Sequence, residues 1–373
     1  IRLQEATDAL NALGSMQYKK VMASGVIPQI TAVFGNCGGG LAADAALTDF
    51  VFMAQTGKMF VNSPNTISGN SKDKCDSSSA AFQSEKNGFI DMVGTEGEVI
   101  EQIRALVSVL PANNKDHDSY EVGADDLNRL CEGIESRVED PAELLAMLGD
   151  EYLFFETKRN YAKDMVTGFL KLNGMTVGTV ANRSAVYNED GEKTDTYDGC
   201  LSANGCQKAA EFVKFCDAFG IPVLTLTNVS GLHASMHSEQ HLAKAMAMLT
   251  YAFTDATVPK VNVVTGKAYG SAYVTMNSKA VGADLVYAWP NAEIGMMEAD
   301  MAVKIMYTGA DAEELARQAE AYRNLQSSPV SAAKRGYVDA IIEPQSTRKY
   351  LIAAFEMLFT KKEIRPAKKH GTV

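Results

Sequence analysis

Two glycine turns carry the residues best suited to chemistry in this 373-residue chain. Gly38-Gly39-Gly40 follows the apolar run that begins at Ile27, and Gly270-Ser271-Ala272 follows the run that begins at Val258. A strand that ends in such a turn and opens a helix presents backbone N–H groups without partners, and these bind an anion or a developing oxyanion. Glycine is needed there because a side chain would block the approach or forbid the backbone angles. Close helix–strand packing explains either turn taken alone. Their recurrence favours two anion-stabilising sites.

The recurrence extends well beyond the turns. Pro28, Gly35 and Gly39 match Pro259, Gly266 and Gly270 at one offset of 231 residues, and Asp49-Phe-Val-Phe-Met53 matches Asp284-Leu-Val-Tyr-Ala288 at 235. The later copy therefore carries a four-residue insertion, and the pattern predicts two related units.

The elements that must hold these turns alternate along the chain. Residues 8–24 read as an amphipathic helix, 27–34 as a buried strand, 40–47 as an Ala-rich helix and 62–86 as a polar excursion. A helix over 96–110 stops at Pro111-Ala-Asn-Asn-Lys115, which divides a first domain, 1–115, from a second, 116–373. In the second, a helix opens at Asp140, a strand covers 176–182, and a polar insertion covers 188–198. A helix over 203–219, a strand over 222–229 and a helix over 239–256 lead to the repeated strand at Pro259. Helices over 311–325 and 347–361 precede a basic tail. The alternation predicts an α/β fold with a largely parallel sheet.

Composition narrows the function classes. A hydrophobic content of 46% with 22% charged residues is that of a globular protein, and a net charge of −11 argues against nucleic-acid binding, which needs a basic surface. The six cysteines, Cys37, Cys75, Cys131, Cys200, Cys206 and Cys216, have no C-x-x-C spacing, so neither a disulfide framework nor a zinc ribbon is expected, and a reducing cytoplasm is the simpler setting. No stretch reaches membrane-spanning length, so no direct membrane insertion is expected. Ile1-Arg-Leu-Gln-Glu5 has no signal-peptide character and reads as the start of a fragment.

Gly35-Asn-Cys-Gly-Gly-Gly40 with Ala46-Leu-Thr-Asp-Phe50, and Lys267-Ala-Tyr-Gly-Ser-Ala-Tyr273 with Met276-Asn-Ser-Lys279, Gly282-Ala-Asp284 and Tyr287-Ala-Trp-Pro290, resemble the carboxyltransferase subunit of biotin-dependent acyl-CoA carboxylases and decarboxylases, the propionyl-CoA carboxylase beta and methylmalonyl-CoA decarboxylase alpha type. Val180-Ala-Asn182, Lys208-Ala-Ala210, Phe212-Val-Lys-Phe-Cys-Asp217, Ala292-Glu-Ile294, Arg335-Gly-Tyr-Val-Asp339, Ile342-Glu-Pro344 and Arg365-Pro-Ala-Lys-Lys-His-Gly371 extend the resemblance to the end of the chain. It implies two crotonase-like domains, the first N-terminally incomplete here. It also implies transfer of a carboxylate between carboxybiotin and the α-carbon of a short acyl-CoA such as acetyl-, propionyl- or methylmalonyl-CoA. Biotin on a carrier protein would be the cofactor and a coenzyme A thioester the substrate. Partners would be the biotin carboxyl carrier protein with either a biotin carboxylase or a membrane decarboxylase subunit, and the chain would form a homo-oligomer, a dimer or a trimer of dimers.

By the same resemblance Gly39 and Gly40 would hold the thioester oxygen, and Gly270, Ser271 and Ala272 the biotin oxygen. Cys37, Gly38, Tyr269 and Tyr273 would line the binding sites, and Val274 stands where the family sets acyl-chain size. Two other assignments stay open: the alpha subunit of a sodium-pumping methylmalonyl-CoA or glutaconyl-CoA decarboxylase, and a non-catalytic CoA-binding assembly subunit. Ser271 stands where a second glycine is common, and Asn228-Val-Ser-Gly-Leu232 replaces a familiar Asp-Val-Pro-Gly-Phe.

Several residues have plainer readings. Cys37, with no histidine near it in sequence, reads as a packed residue rather than a nucleophile, and Tyr269 and Tyr273 read equally as core. His233, His237 and His241 would share a helical face, but with ends about 12 Å apart at 1.5 Å per residue they cannot easily hold one ion. No metal is expected. Arg365, Lys368 and Lys369 read as either a CoA-phosphate patch or a solvated tail.

Overall fold

The computed structural model describes residues 3–68, 76–116, 123, 125–188, 190–368 and 371–373. Cys75, Lys369 and His370 lie outside the described residues. The chain forms two compact units: Ile1–Ser119 with Thr157–Ala162 and Ala218–Gly220, and the rest of the chain.

In the first unit, helix α1 (Ala6–Ala23) precedes strand β1 (Ile30–Val33), β2 (Asn36–Gly38), helix α2 (Gly40–Ala45), β3 (Phe50–Ala54) and β4 (Lys58–Phe60). The polar excursion contains a helix, α3 (Ala80–Lys86), because the Ser79 hydroxyl accepts from the Phe82 N–H and starts one. Strand β5 (Met92–Gly94) and helix α4 (Glu96–Val109) follow, and α4 begins where Thr95 and Glu98 form a reciprocal capping box. Strands β1, β3 and β5 form a parallel sheet, and β2 pairs separately with β4. All five residues of β3 are buried, as expected of a central strand covered on both faces. Val33, Ala42, Val51, Met53 and Met59 belong to the core beneath it.

The second unit opens with α5 (Pro141–Leu148), whose N-cap Asp140 side chain accepts from the Ala142 N–H while Pro141 supplies a preset first turn. Strands β6 (Phe155–Thr157), β7 (Met165–Leu172), β8 (Met175–Asn182), β9 (Ala185–Tyr187), β10 (Lys193–Thr196) and β11 (Cys200–Leu201) lead to helix α6 (Ala203–Ala218). The polar insertion is thus not wholly loop, since β10 lies inside it and pairs antiparallel with β9 just before it. Next come β12 (Val223–Val229), β13 (Gly231–Leu232), α7 (Met236–Asp255), β14 (Lys260–Tyr269) and α8 (Gly270–Thr275). Strands β15 (Leu285–Ala288) and β16 (Glu293–Gly295), helices α9 (Ala299–Met306), α10 (Ala312–Tyr322) and α11 (Pro329–Lys334), β17 (Ala340–Ile341) and α12 (Thr347–Leu358) complete it.

The eight-stranded sheet runs β17-β15-β14-β12-β8-β7-β6, with β16 added to β14. In that sheet β7 and β8 pair antiparallel, whereas β8–β12, β12–β14, β14–β15, β14–β16 and β15–β17 pair in parallel, so it is largely parallel as expected. Leu224, Leu226, Val261 and Val263 from its centre pack with Leu144, Leu148, Leu351 and Phe355 from α5 and α12.

The repeat read from sequence reappears in strand register. Ile30 faces Phe50, and their counterparts Val261 and Leu285 face each other; Gly38 faces Phe60, and Tyr269 faces Gly295. One carboxylate clamps each strand pair. Asp49 accepts the Gln29 N–H at 2.7 Å, and Asp284 accepts the Lys260 N–H at 2.7 Å. A second clamp repeats too, with Asp91 accepting from Val51 at 2.8 Å and Asp339 from Val286 at 2.7 Å.

Candidate functional site

In each unit the glycine turn bends the chain out of its strand in the same way. Gly39 has φ 60° and Gly270 φ 59°, values that an L side chain resists. At Gly270 an added Cβ would also meet the Met296 carbonyl oxygen at 3.2 Å, whereas Gly39 has open space. The residues after each bend enter α2 and α8, whose first N–H groups have no acceptor within the helix.

The first turn uses one of its donors internally. The Gly39 N–H donates to the Phe60 carbonyl at 2.9 Å, extending the β2–β4 ladder by one step, so the donors left to a ligand begin at Gly40. Gly38 is held close to the Phe60 ring, where a Cβ would come within 2.6 Å. Cys37 packs against the core of the first unit, and burial followed by Asp44 pushes its thiol up, as suits a packed residue rather than a nucleophile.

The second turn lies in a cavity of about 200 Å³. Tyr269, Gly270, Ser271 and Ala272 form one wall, Ser230, Gly231 and Leu232 another, and Met296, Met297, Glu298 and Met301 a third, with Lys267 beside them. The Tyr269 hydroxyl donates to Glu293, and burial together with that carboxylate pushes its pKa up, so it stays a donor. Tyr273 does not line this cavity. It packs beside Val264, Ala268 and Val286, and burial pushes its hydroxyl up to about 12. Val274 stands 42% exposed on α8 and is also absent from the cavity wall.

The strand carrying the second turn is bent by a specific lock. Thr227 pairs with Val264 but Val229 pairs with Ala268, so β14 bulges at Thr265–Lys267. Asn228 fills the gap, its Oδ1 accepting the Lys267 N–H at 2.9 Å. Asn182 holds Asn228 in turn, accepting its N–H at 2.8 Å and donating Nδ2 to its carbonyl. A Cβ on Gly266 would lie 2.5 Å from the Asn228 oxygen, which explains glycine at that position. Lys267 is thereby aimed at Glu298, 3.6 Å away across the cavity. Glu298 is the N-cap residue of α9, yet its side chain caps nothing and is left to face Lys267.

The three histidines do not share a helix face. Ser235 accepts the Ser238 N–H and starts α7 at Met236, leaving His233 before the helix. His233 pairs with Asp198 at 2.7 Å, while the His237 and His241 rings lie 4.6 Å apart, one turn from each other. Among the described residues no three His, Cys, Asp or Glu side chains gather as a metal site. The five described cysteines are free thiols. Among the described residues no helix is long and apolar enough to cross a membrane.

Two cations of the basic tail, Arg365 and Lys368, already have partners within the protein. Arg365 donates to the Asp255 and Ala256 carbonyls at 3.2 Å each, and Lys368 pairs with Asp255 at 2.7 Å and lies over the Tyr251 ring. These cations sit at the C-terminal end of α7, where carbonyls lack partners.

Sequence reasoning found both turns but missed Lys267, Glu298 and the three methionines as neighbours. Lys267 was visible only as part of a motif, and no local pattern ties it to Glu298.

Over residues 1–373 the chain matches the family described as carboxyl transferase domain. The propionyl-CoA carboxylase beta chain of Roseobacter denitrificans is 38% identical over 387 residues, covering 100% of this chain and 74% of that protein. The methylmalonyl-CoA decarboxylase subunit alpha of Propionigenium modestum is 36% identical over 391 residues, with 100% and 74% covered. A crystal structure of the transcarboxylase 12S hexamer with methylmalonyl-coenzyme A and methylmalonic acid bound superimposes with a TM-score of 0.90 at 35% identity, covering 100% of this chain and 73% of that one. The α/β, crotonase-like architecture expected from the resemblance is the one found.

Proposed function

From the premise that this chain belongs to the carboxyl transferase domain family, we propose that it is the subunit that moves a carboxylate between biotin on a carrier protein and the α-carbon of a short acyl-CoA, propionyl- or methylmalonyl-CoA in particular. The observation that carries this reading is the pair of matching glycine bends, Gly39 and Gly270, each opening a helix directly after a strand that pairs in parallel with its neighbour. The two units are then two crotonase-like domains, and the working assembly is a homo-oligomer.

The reaction places negative charge first on one oxygen and then on another, so each oxygen needs donors already aimed at it. The Gly40 N–H, with Leu41 after it, holds the thioester oxygen while the α-carbon loses its proton, and Gly39 serves as the bend. Gly270, Ser271 and Ala272 offer N–H groups to the ureido oxygen. The cavity suits such a group, because backbone donors form one wall and the Tyr269 ring and Met296, Met297 and Met301 offer apolar surface to a bicyclic ring. Biotin supplies, when bound, a ureido nitrogen that surrenders the carboxylate and then accepts the α-proton. The Tyr269 hydroxyl, already bound to Glu293, is not required as a base.

The test is carboxyl exchange by the full chain, with biotinylated carrier protein and a panel of acetyl-, propionyl-, methylmalonyl- and glutaconyl-CoA. Exchange with the three- and four-carbon thioesters is expected. No exchange with any of them, despite measurable CoA binding, would instead identify a non-catalytic subunit.

A further inference from the structure

Among the described residues lining the cavity, Lys267 is the sole cation and Glu298 the sole anion. They face each other at 3.6 Å, each close to half exposed, a geometry in which an ion pair is weak and readily exchanged. The surrounding scaffold is stiffer than the pair itself. Asn228 fixes the Lys267 backbone, Gly266 allows the close approach, and Glu298 is anchored at the start of α9, where its carbonyl accepts from Met301 and Ala302. A cation held at the rim of a cavity walled by backbone donors and methionine side chains attracts a small anion more strongly than one in open solvent.

We propose that Lys267 seats the migrating carboxylate and that Glu298 is its displaceable placeholder, releasing the ammonium when a carboxylated substrate arrives. This assignment rests on the carboxyl-transfer reading and deepens it. During transfer the carboxylate lies between the thioester α-carbon and the ureido nitrogen, so it reaches this cavity whichever molecule carries it. Without the substrate, Glu298 keeps the lysine aimed inward; with it, Glu298 competes for the same charge.

The experiment is calorimetric binding of propionyl-CoA and methylmalonyl-CoA to the full chain in the absence of biotin, comparing wild type with Lys267→Met, Lys267→Arg and Glu298→Gln at low and high salt. Lys267→Met is expected to weaken methylmalonyl-CoA about tenfold, as for loss of one charge-assisted hydrogen bond, and to leave propionyl-CoA within about twofold. Glu298→Gln should tighten methylmalonyl-CoA, with the opposite sign to Lys267→Met, and Lys267→Arg should retain most of the preference. Thermal unfolding of each variant checks that the fold persists, and Lys267→Arg keeps the charge if Lys267→Met is unstable. Equal shifts for both thioesters, or none, would overturn the Lys267 assignment while leaving the transfer reading in place. A wild-type chain that binds neither thioester would overturn both.

Discussion

The backbone N–H of Ser230 donates to the carbonyl of Gly199 at 2.9 Å. Ser230 occupies the place of a proline in the related motif, and proline has no N–H to give. The bond ties the cavity wall at Ser230–Leu232 to the segment entering β11, which pairs with β13. Ser230→Pro should therefore cost about 1 kcal/mol, a few degrees in Tm, rather than stabilise by rigidifying the loop. An unchanged or raised Tm would show that the bond contributes nothing.

Gly39 and Gly270 share a backbone conformation but not a neighbourhood. Alanine at either position bears strain of about 1–2 kcal/mol, and at Gly270 the new methyl also presses on the Met296 carbonyl. Gly270→Ala should lower the carboxyl-transfer rate about a hundredfold, the scale seen when one oxyanion donor is lost, while the chain stays folded. Gly39→Ala should be milder in stability, since nothing lies within 4 Å of its Cβ. Full activity in Gly270→Ala, measured beside an unchanged melting curve, would remove that turn from the chemistry.

The turns were legible because glycine, proline and the first clamp aspartate recur at nearly fixed spacing. Asp49 and Asp284 reach back 20 and 24 residues to their partners, close enough for the offset to survive inspection. Asp91 and Asp339 do the same structural work at 40 and 53 residues, and that length change hides the match. Strand β10 escaped notice for a different reason: Lys193-Thr-Asp-Thr196 is mostly exposed and has no apolar face to betray a period of two. The Lys267–Glu298 pair is invisible for a third, since only the bulge set by Asn228 decides where Lys267 points. Local chemistry was readable, whereas partners brought together by a register shift were not.

Arg365 and Lys368 spend their donors on the end of α7. Replacing both by alanine should leave CoA affinity unchanged and lower Tm, because the Asp255 carbonyl loses its Arg365 donor and the Asp255 carboxylate its Lys368 partner, while the Ala256 carbonyl loses Arg365 and keeps Lys260. Titration with CoA, run alongside thermal unfolding, separates the outcomes. A weaker CoA affinity at unchanged Tm would return these residues to phosphate binding.

Lys260 supplies a pH dependence of unusual sign. Its side chain is fully buried, with Nζ donating to the Phe253 carbonyl at 2.6 Å and the Ala256 carbonyl at 2.9 Å. Burial first, then the charges of Lys361 and Arg365, lower its pKa from 10.5 to about 8. Below about pH 8 both folded and unfolded chains carry the ammonium, and the folded one bears the full cost of burying it. Between about 8 and 10.5 the unfolded chain still holds a proton that the folded chain has released, so stability rises with pH across that window. The gain is bounded by about 3 kcal/mol. Denaturant unfolding of wild type and Lys260→Met at pH 7.5 and pH 9.5 isolates it, because the volume and packing effects of methionine are common to both conditions. Wild-type stability should rise relative to the variant at the higher pH, and a difference that stays level or falls would mean that Lys260 keeps its proton in the folded chain.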